Sequence, residues 1–101
     1  MRLPNVSNSW KMPYRLKIPK AVRLEIERLP GNVRQRVKRT IAGLAFEPRP
    51  ANASELEDEL AGFWRIKLDD YRIIYGIDDD VITVEIIRVA KRTPKTYAGL
   101  V

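Results

Sequence analysis

Alternating apolar and polar positions in the second half of the chain predict two strands joined by a tight turn. The segment from Phe63 to Tyr75 reads FWRIKLDDYRIIY, and its period of two is typical of strands that bury one face. A turn centred on Asp69 and Asp70 aligns the apolar positions across the pair. The register then places Leu68 opposite Tyr71, Ile66 opposite Ile73, Trp64 opposite Tyr75 and Lys67 opposite Arg72, with Arg65 on the same face as Lys67.

The predicted pairing of Lys67 with Arg72 is unfavourable for a sheet face that binds nothing. Like charges that face each other across two strands cost a few tenths to about 1 kcal/mol. The stability of the fold gains nothing from this arrangement. We therefore interpret the face as a site for an anion.

Apolar positions at helical spacing in the first half of the chain predict two amphipathic helices. The first follows a short alternating strand from Tyr14 to Ile18 and ends at Pro30. The second is predicted to start at an Asn32 N-cap, with Gln35 completing a capping box, and to end near Phe46. So short a connection predicts an antiparallel pair of helices that covers the apolar face of the sheet.

The remaining segments are predicted to be loops and one further strand. Residues 48–54 are predicted to be a loop, the acidic run from Glu55 to Glu59 a solvated loop or helix end, and Asp78 to Asp80 a turn. The segment from Val81 to Val89 is rich in β-branched residues and predicts a buried strand. Its register stays open, because loops of two and of three residues place opposite faces inward.

Composition limits the chemistry that the chain can perform. Its 101 residues suffice for one small domain, which we place at residues 12–101 behind a flexible extension at residues 1–11. A formal charge of +6 and a pI near 9.9 indicate a polyanionic partner. Without cysteine or histidine, we expect no disulfide, no zinc site and no other metal. No segment has the pattern of a signal peptide or a membrane span, so we expect a cytoplasmic protein without membrane contacts.

The second predicted helix carries a run of cations with no acidic neighbour before Glu47: Arg34, Arg36, Lys38 and Arg39. One interpretation is a solvated helix face, since arginine and lysine are good helix formers. The other is a face that grips a phosphate backbone or an acidic partner. The sequence does not choose between the two interpretations.

The order of these segments resembles the RelE/ParE superfamily of bacterial toxins from toxin–antitoxin pairs. The shared features are a strand, a helical hairpin containing LPGNV, the run LAGFWRIKLDDYRIIY, an acidic turn, a Val/Ile-rich strand and the closing VAKRTPKTY, over residues 12–97. The resemblance implies an α+β fold, with an N-terminal helical hairpin packed on one face of a small, mainly antiparallel, four-stranded sheet. For the RelE branch it implies an endoribonuclease that cuts mRNA in the ribosomal A site without a cofactor.

The resemblance also carries the family's site residues onto Arg65, Lys67, Arg72, Arg92 and Tyr97. Such enzymes activate a ribose 2′-hydroxyl against the adjacent phosphate, and cations stabilise the more negative phosphorane. Lys67 is the best candidate for the general base if its neighbours Arg65 and Arg72 disfavour its protonated form. Arg72 would clamp the scissile phosphate through two hydrogen bonds, and Arg92 would support the transition state or the leaving group. Tyr97 would stack on a base or donate a proton.

The chain departs from the best-known RelE pattern at several of these positions. Arg65 stands where that member has lysine, and an arginine retains its proton at neutral pH. The spacing between Arg92 and Tyr97 is shorter than in that member. No histidine is present for acid–base work, and Glu85 in the last predicted strand is a weak substitute.

Three functions, each with its partners, follow from the resemblance. The first is the ribosome-dependent mRNA endonuclease, which contacts rRNA and mRNA through the candidate RNA-binding residues Arg34, Lys38, Lys91 and Lys95. The second is a ParE-like poison of DNA gyrase without nuclease activity. The third is a non-catalytic module that regulates DNA binding in a complex with its antitoxin. All three imply a cognate antitoxin protein, through which the complex binds operator DNA.

Overall fold

The computed structural model describes residues 13–93, in which two α-helices and five strands are arranged around one core. In chain order the elements are β1 (Arg15–Lys17), α1 (Lys20–Glu27), α2 (Gly31–Leu44), β2 (Ala53–Glu55), a 3₁₀ helix (Asp58–Leu60), β3 (Phe63–Leu68), β4 (Tyr71–Asp78) and β5 (Thr83–Lys91). The α+β class expected from the sequence is confirmed. The extension expected at residues 1–11 lies outside the described residues.

The five strands form one sheet in the order β1, β5, β4, β3, β2. Strand β1 runs parallel to β5, and the other three pairs are antiparallel. The predicted sheet was one strand short, because Ala53–Glu55 pairs with β3 where we expected loop and an acidic run. Three residues are too few to display a period of two, so the sequence carries no signal for this edge strand.

The pairing of β3 with β4 has the predicted register. Lys67 lies opposite Arg72, and the apolar pairs from Leu68–Tyr71 to Trp64–Tyr75 align as expected. Asp69 adopts a φ of 56° in the turn, a left-handed conformation that aspartate tolerates better than most residues. A two-residue turn combined with matching alternation leaves one register that buries the apolar face.

The core lies between the two helices and one face of the sheet. It is built from Val22, Ile26, Val37, Ile41 and Leu44 of the helices and Ile66, Ile73, Tyr75, Val84, Ile86 and Val89 of the strands. The predicted capping box at the start of α2 is wrong, because Pro30 is the N-cap and no side chain caps the helix. The extended conformation of Pro30, with ψ of 148°, lets the helix begin at Gly31, so Asn32 already lies within its first turn.

A β-bulge interrupts β5 and decides which of its side chains face the helices. The register on β5 shifts between the partners of Ile74 and Tyr75, and this leaves Ile87 as the extra residue. Ile86 and Val89 are consequently both buried, although three positions separate them. The bulge resolves the register that the sequence left open.

Glu25 of α1 ties the first helix to this irregular part of β5. Its Oε1 accepts a hydrogen bond of 2.9 Å from the backbone N–H of Val89. A bulge disrupts the regular ladder of a sheet, so its backbone groups need partners from elsewhere. The carboxylate therefore fixes the bulge against the helical layer.

Tyr75 gives the fold a stability contribution that depends on pH. Its side chain is fully buried, and its hydroxyl donates a hydrogen bond of 2.8 Å to the carbonyl of Pro48. Burial raises the pKa of Tyr75 to about 12. Because the folded-state pKa lies above the unfolded value of 10.0, this contribution is complete below the unfolded pKa and is lost as pH rises through about 12.

We expect Tyr75→Phe to lower the free energy of unfolding at neutral pH by about 1 kcal/mol, the net value of one hydrogen bond. As pH rises from the unfolded pKa to the folded pKa of Tyr75, the free energy of unfolding of the wild type should fall by ~2 to 3 kcal/mol, since each pKa unit corresponds to about 1.4 kcal/mol. The variant, which has no hydroxyl at this position, should not show this fall. Urea unfolding from neutral to strongly alkaline pH measures both effects. Tyr71→Phe, at a half-buried position of the same strand, is the matched control and should keep the alkaline loss. Equal alkaline losses in wild type and Tyr75→Phe would contradict the assignment.

Candidate active site

The face of the sheet that points away from the helices carries cations in two rows across β3, β4 and β5. The first row consists of Lys67, Arg72 and Ala90, and the second consists of Arg65, Ile74 and Arg88. Side chains directly opposite each other on neighbouring strands have Cβ atoms about 4.5–5.5 Å apart. We call Arg65, Lys67, Arg72 and Arg88 the basic face.

Arg72 is a cation on the central strand whose side chain is almost completely buried. The residue is 9% exposed, and its Nη1 donates hydrogen bonds of 2.9 Å to the carbonyls of Asp69 and Tyr71. Among residues 13–93, its buried Nε has no hydrogen-bond partner and its guanidinium forms no ion pair. A buried charge without a counter-ion is costly, so an anion bound beside Arg72 would offset that cost.

Lys67 is the solvent-exposed neighbour of this buried cation. It lies directly opposite Arg72, whereas Arg65 and Arg88 are half-buried on either side of Ile74 in the next row. The arrangement therefore combines one fixed guanidinium with one ammonium group that solvent and ligands can reach. Such a pair suits a phosphate group that binds to the fixed cation while the mobile one acts on a neighbouring atom.

Arg92 approaches the same end of the sheet through the backbone. Its N–H donates a hydrogen bond of 2.7 Å to the carbonyl of Asp70 in the β3–β4 turn, and the preceding residue, Lys91, pairs with Tyr71. The backbone of Arg92 and Lys91 thus lies beside the β3–β4 turn, close to Arg72 at the start of β4. Lys91 is paired with Tyr71, so its side chain shares the face of Tyr71 and not that of Arg72. Tyr97 and Lys95 lie outside the described residues.

Arg34 and Lys38 are not brought to the basic face. Both belong to α2, in the layer that covers the opposite face of the sheet. Arg34 Nη1 lies 3.3 Å from the carbonyl oxygen of Glu27 and 3.4 Å from that of Leu29, so it caps the end of α1. Lys38 Nζ lies 3.4 Å from the Glu27 carboxylate. Helix packing and solvation account for these two contacts.

Glu85 also lies apart from the cations that would act on a phosphate. It pairs with Gly76, which is four residues from Arg72 on β4. Four residues of strand span about 13 Å, so the carboxylate is too far away to exchange a proton with a group held between Lys67 and Arg72.

Arg88 is the member of the basic face that the sequence analysis missed. In a regular strand it would share the inward face with Val84 and Ile86, and the bulge at Ile87 turns it outward. The available signal was the spacing of the apolar residues in VITVEIIRV, where Ile86 and Val89 are both apolar but out of phase for a regular strand. A single bulge accommodates both residues in the core.

A second polar cluster lies at the opposite end of β4 from Arg72. Asp79 accepts a hydrogen bond of 2.6 Å from the Tyr14 hydroxyl and forms an ion pair of 3.0 Å with Arg49. Hydrogen bonds from Arg49 and Tyr14 lower the pKa of Asp79. The Arg49 guanidinium also lies 5.5 Å from the ring centroid of Trp64. The cluster joins the start of β1, the loop after α2 and the β4–β5 turn, and we assign it to fold stability.

Two kinds of site are absent from the described part of the chain. No three histidine, cysteine, aspartate or glutamate side chains of residues 13–93 are grouped so that they could hold a metal ion. Neither helix in this range has the length and apolar character that a bilayer crossing requires. The basic face is therefore the arrangement here that calls for a chemical explanation.

Comparison with protein families gives a match over most of the chain. Residues 16–94 match the family described as ParE toxin of type II toxin–antitoxin system, parDE. Toxin RelG of Mycobacterium tuberculosis is 34% identical over 82 residues, which cover 80% of this chain and 93% of RelG. The residues that match the family model include β3, β4 and β5, the strands that carry the basic face.

Two solved structures that are similar to this chain are complexes of RelE-type and RelB-type proteins. The complex RelBE2 of Mycobacterium tuberculosis contains a chain with a TM-score of 0.69 and 33% identity, over 79% of this chain and 99% of that one. The archaeal RelE–RelB complex of Pyrococcus horikoshii contains one with a TM-score of 0.71 and 29% identity, over 82% of this chain and 99% of that one. These similarities extend over nearly the whole of each matched chain.

Proposed function

The chain belongs to the RelE/ParE superfamily of toxins from type II toxin–antitoxin systems, and from this premise we propose that it is a ribosome-dependent mRNA endoribonuclease that inhibits translation. The observation that carries the proposal is the buried Arg72, which has no counter-ion among residues 13–93 and lies opposite the exposed Lys67. This pair costs the fold stability and provides an electrostatic site for a phosphate.

The proposed reaction is an attack by the ribose 2′-hydroxyl oxygen on the adjacent phosphorus. Lys67 accepts the hydroxyl proton as the new P–O bond forms. The bond from phosphorus to the 5′-oxygen then breaks, and that oxygen takes up a proton from water, while the protonated Lys67 returns its proton to solvent. The products are a 2′,3′-cyclic phosphate and a free 5′-hydroxyl. Atoms and charge balance without a metal or a redox cofactor.

Each remaining site residue has a role in stabilising charge. Arg72 binds a non-bridging oxygen of the scissile phosphate, and Arg65 stabilises the additional negative charge of the phosphorane. Arg92 supports the leaving 5′-oxygen from its position beside the β3–β4 turn. In this proposal Tyr97 stacks on a base next to the cut, as aromatic side chains commonly do with unpaired RNA.

Further cations are proposed to hold RNA away from the cut. Lys91 and Lys95 continue the basic segment next to Arg92, and Arg34 and Lys38 are candidates for rRNA contacts made from the helical layer. Contacts of this kind are electrostatic and weaken with added salt. We place this activity in the cytoplasm, where ribosomes and mRNA meet.

The proposed regulatory partner is a cognate antitoxin protein. Both structural neighbours described above are toxins in complex with an antitoxin. We propose that the antitoxin of this chain blocks the basic face and that the toxin–antitoxin complex binds operator DNA through the antitoxin. Acidic residues in the antitoxin would pair with Lys67 and the arginines around it.

A cleavage map on translating ribosomes tests the proposed function. The purified protein is added to ribosomes that translate a defined mRNA, and primer extension locates the new ends. We expect cuts at codons in the A site, with 5′-hydroxyl and cyclic phosphate ends, and little cutting of the same RNA without ribosomes. An mRNA that stays intact on active ribosomes would contradict the nuclease function.

A gyrase poison is the second candidate, because the matching family is described by its ParE toxin. This function predicts DNA breaks with gyrase bound to the ends and no change in mRNA. Expression of the toxin followed by analysis of both nucleic acids separates the two candidates. Gyrase-linked breaks together with intact mRNA would replace the first proposal by the second.

A further inference from the structure

A groove on the outer face of the sheet adjoins the basic face and has no role in the proposed cleavage step. It has a volume of about 300 Å³, and its lining includes Lys17, Phe63, Gly76, Glu85 and Ile87. Four of these residues form the next row of the sheet, in which Phe63 pairs with Gly76, Gly76 with Glu85 and Glu85 with Lys17. Adjacent rows on one face are about 7 Å apart, so the groove lies one row beyond Arg65 and Arg88.

Phe63 gives this groove an aromatic wall. The residue is half-buried, and a Cβ atom added to Gly76 would lie 3.9 Å from Phe63 Cδ1, so the ring stands beside the glycine. Gly76 has no positive φ, and the added atom would make only an ordinary van der Waals contact. The backbone therefore does not require glycine there, and the absence of a side chain leaves a flat floor next to the ring.

Glu85 places a hydrogen-bond acceptor on the other side of the same floor. Its side chain is 41% exposed, and its carboxylate lies 4.0 Å from Lys17 Nζ. An ionised carboxylate only accepts hydrogen bonds, so it selects a partner that donates them. Among the bases, the exocyclic amino group of cytosine is the usual donor to glutamate, whereas uracil presents a carbonyl at that position.

The groove itself is lined by one lysine and two carboxylates, Lys17, Asp78 and Glu85, so it is the charge of the adjoining basic face that favours a nucleic acid strand as the occupant. The groove continues directly into the basic face, whose cations attract a phosphate backbone. Proteins that bind single strands combine such a basic track with aromatic rings on which bases stack. Ring, floor and acceptor here are arranged for one unpaired base, and the neighbouring rows are arranged for the phosphates that flank it.

We propose that this groove holds an unpaired base of the RNA whose scissile phosphate lies at Lys67 and Arg72, with a preference for cytosine over uracil. Phe63 stacks on the base, and Glu85 accepts a hydrogen bond from its amino group. The inference rests on the proposed nuclease function and adds the residues that determine its sequence preference. Phe63 and Glu85 are specificity-determining residues and take no part in the bond-breaking step.

The test measures the binding of short, single-stranded 2′-O-methyl RNA, which cannot be cut, and the cleavage map on ribosomes. We expect Phe63→Leu to weaken binding of the cytosine oligonucleotide by about 5- to 150-fold, the range for loss of one base–aromatic stack. Phe63→Trp should retain binding, because it keeps an aromatic surface. Glu85→Gln should reduce the preference for cytosine over uracil. The matched control is Phe46→Leu, two residues after the end of α2, where the residue is 78% exposed, and its binding should not change.

The outcomes separate this inference from the function on which it rests. If the wild type does not cut mRNA on ribosomes, the proposed function fails. If the wild type cuts and Phe63→Leu binds and cuts at the same positions with the same strength, the groove inference fails and the nuclease function stands. Loss of affinity for the antitoxin in Phe63→Leu, with RNA binding unchanged, would assign the groove to a protein partner and overturn the inference. Far-ultraviolet circular dichroism of each variant verifies that it is folded.

Discussion

Replacing Lys67 with alanine is expected to lower the rate of mRNA cleavage on translating ribosomes by about 10²- to 10⁴-fold, the range for loss of a positioned general base. Lys67 is the exposed cation opposite the buried Arg72, and in the proposed mechanism it acts on the 2′-hydroxyl while Arg72 binds the neighbouring phosphate. Primer extension at several times after the toxin is added measures the rate. Ribosome binding, measured separately by sedimentation, should change much less than the rate.

Lys67→Arg separates proton transfer from charge. Arginine keeps the positive charge but does not release its proton at neutral pH. We therefore expect Lys67→Arg to be as impaired as Lys67→Ala. Recovery of most of the rate in Lys67→Arg would assign Lys67 an electrostatic role and refute the general-base role. Lys20→Ala, at an exposed lysine in the first turn of α1, is the matched control and should cut at the wild-type rate.

Replacing Arg72 with methionine is expected to reduce cleavage by about 10²- to 10³-fold, the loss that follows removal of one charge-stabilising donor from an active site. The same change should leave the free energy of unfolding within about 1 kcal/mol of the wild type. Two hydrogen bonds from Nη1 are lost, but a buried cation with no counter-ion among residues 13–93 is lost with them. Single-turnover cleavage and urea unfolding measure the two effects.

The combination of the two measurements makes the prediction for Arg72 specific. Arg72→Lys keeps a charge but loses the planar fork of the guanidinium, so it should recover only part of the rate. Arg39→Met, at an exposed arginine of α2, controls for the loss of one positive charge and should keep full activity. A large drop in stability for Arg72→Met would show that Arg72 is retained for folding, and activity lost through unfolding would then say nothing about catalysis.

The register of β3 and β4 was predictable because two independent signals agreed. The alternation from Phe63 to Tyr75 selected the buried face, and the Asp69–Asp70 turn selected the length of the loop. The sequence therefore predicted that Lys67 and Arg72 face each other. The burial of Arg72 was not predictable, because it depends on what surrounds the central strand.

Other parts of the fold depend on contacts that are distant in sequence. The bulge in β5 is held by Glu25 on α1, 64 residues away from Val89, and the spacing of Ile86 and Val89 around Arg88 indicates a bulge without showing which residue it displaces. Strand β2 forms because its backbone pairs with the edge strand β3, and its three residues show no alternation of apolar and polar positions. Local propensity also favoured Asn32 as the N-cap, but the conformation of Pro30 starts the helix earlier.

The parallel pairing of β1 with β5 determines when the sheet can be completed. Arg15 of β1 pairs with Thr83 of β5, so β1 leaves the ribosomal tunnel before its partner strand has been synthesised. A topology of such high contact order forms late, because the chain between the two strands must be ordered before they meet. The rows of cations that cross β3, β4 and β5 are therefore assembled into one surface only after β5 has been synthesised, although the β3–β4 hairpin that carries Lys67 and Arg72 pairs locally.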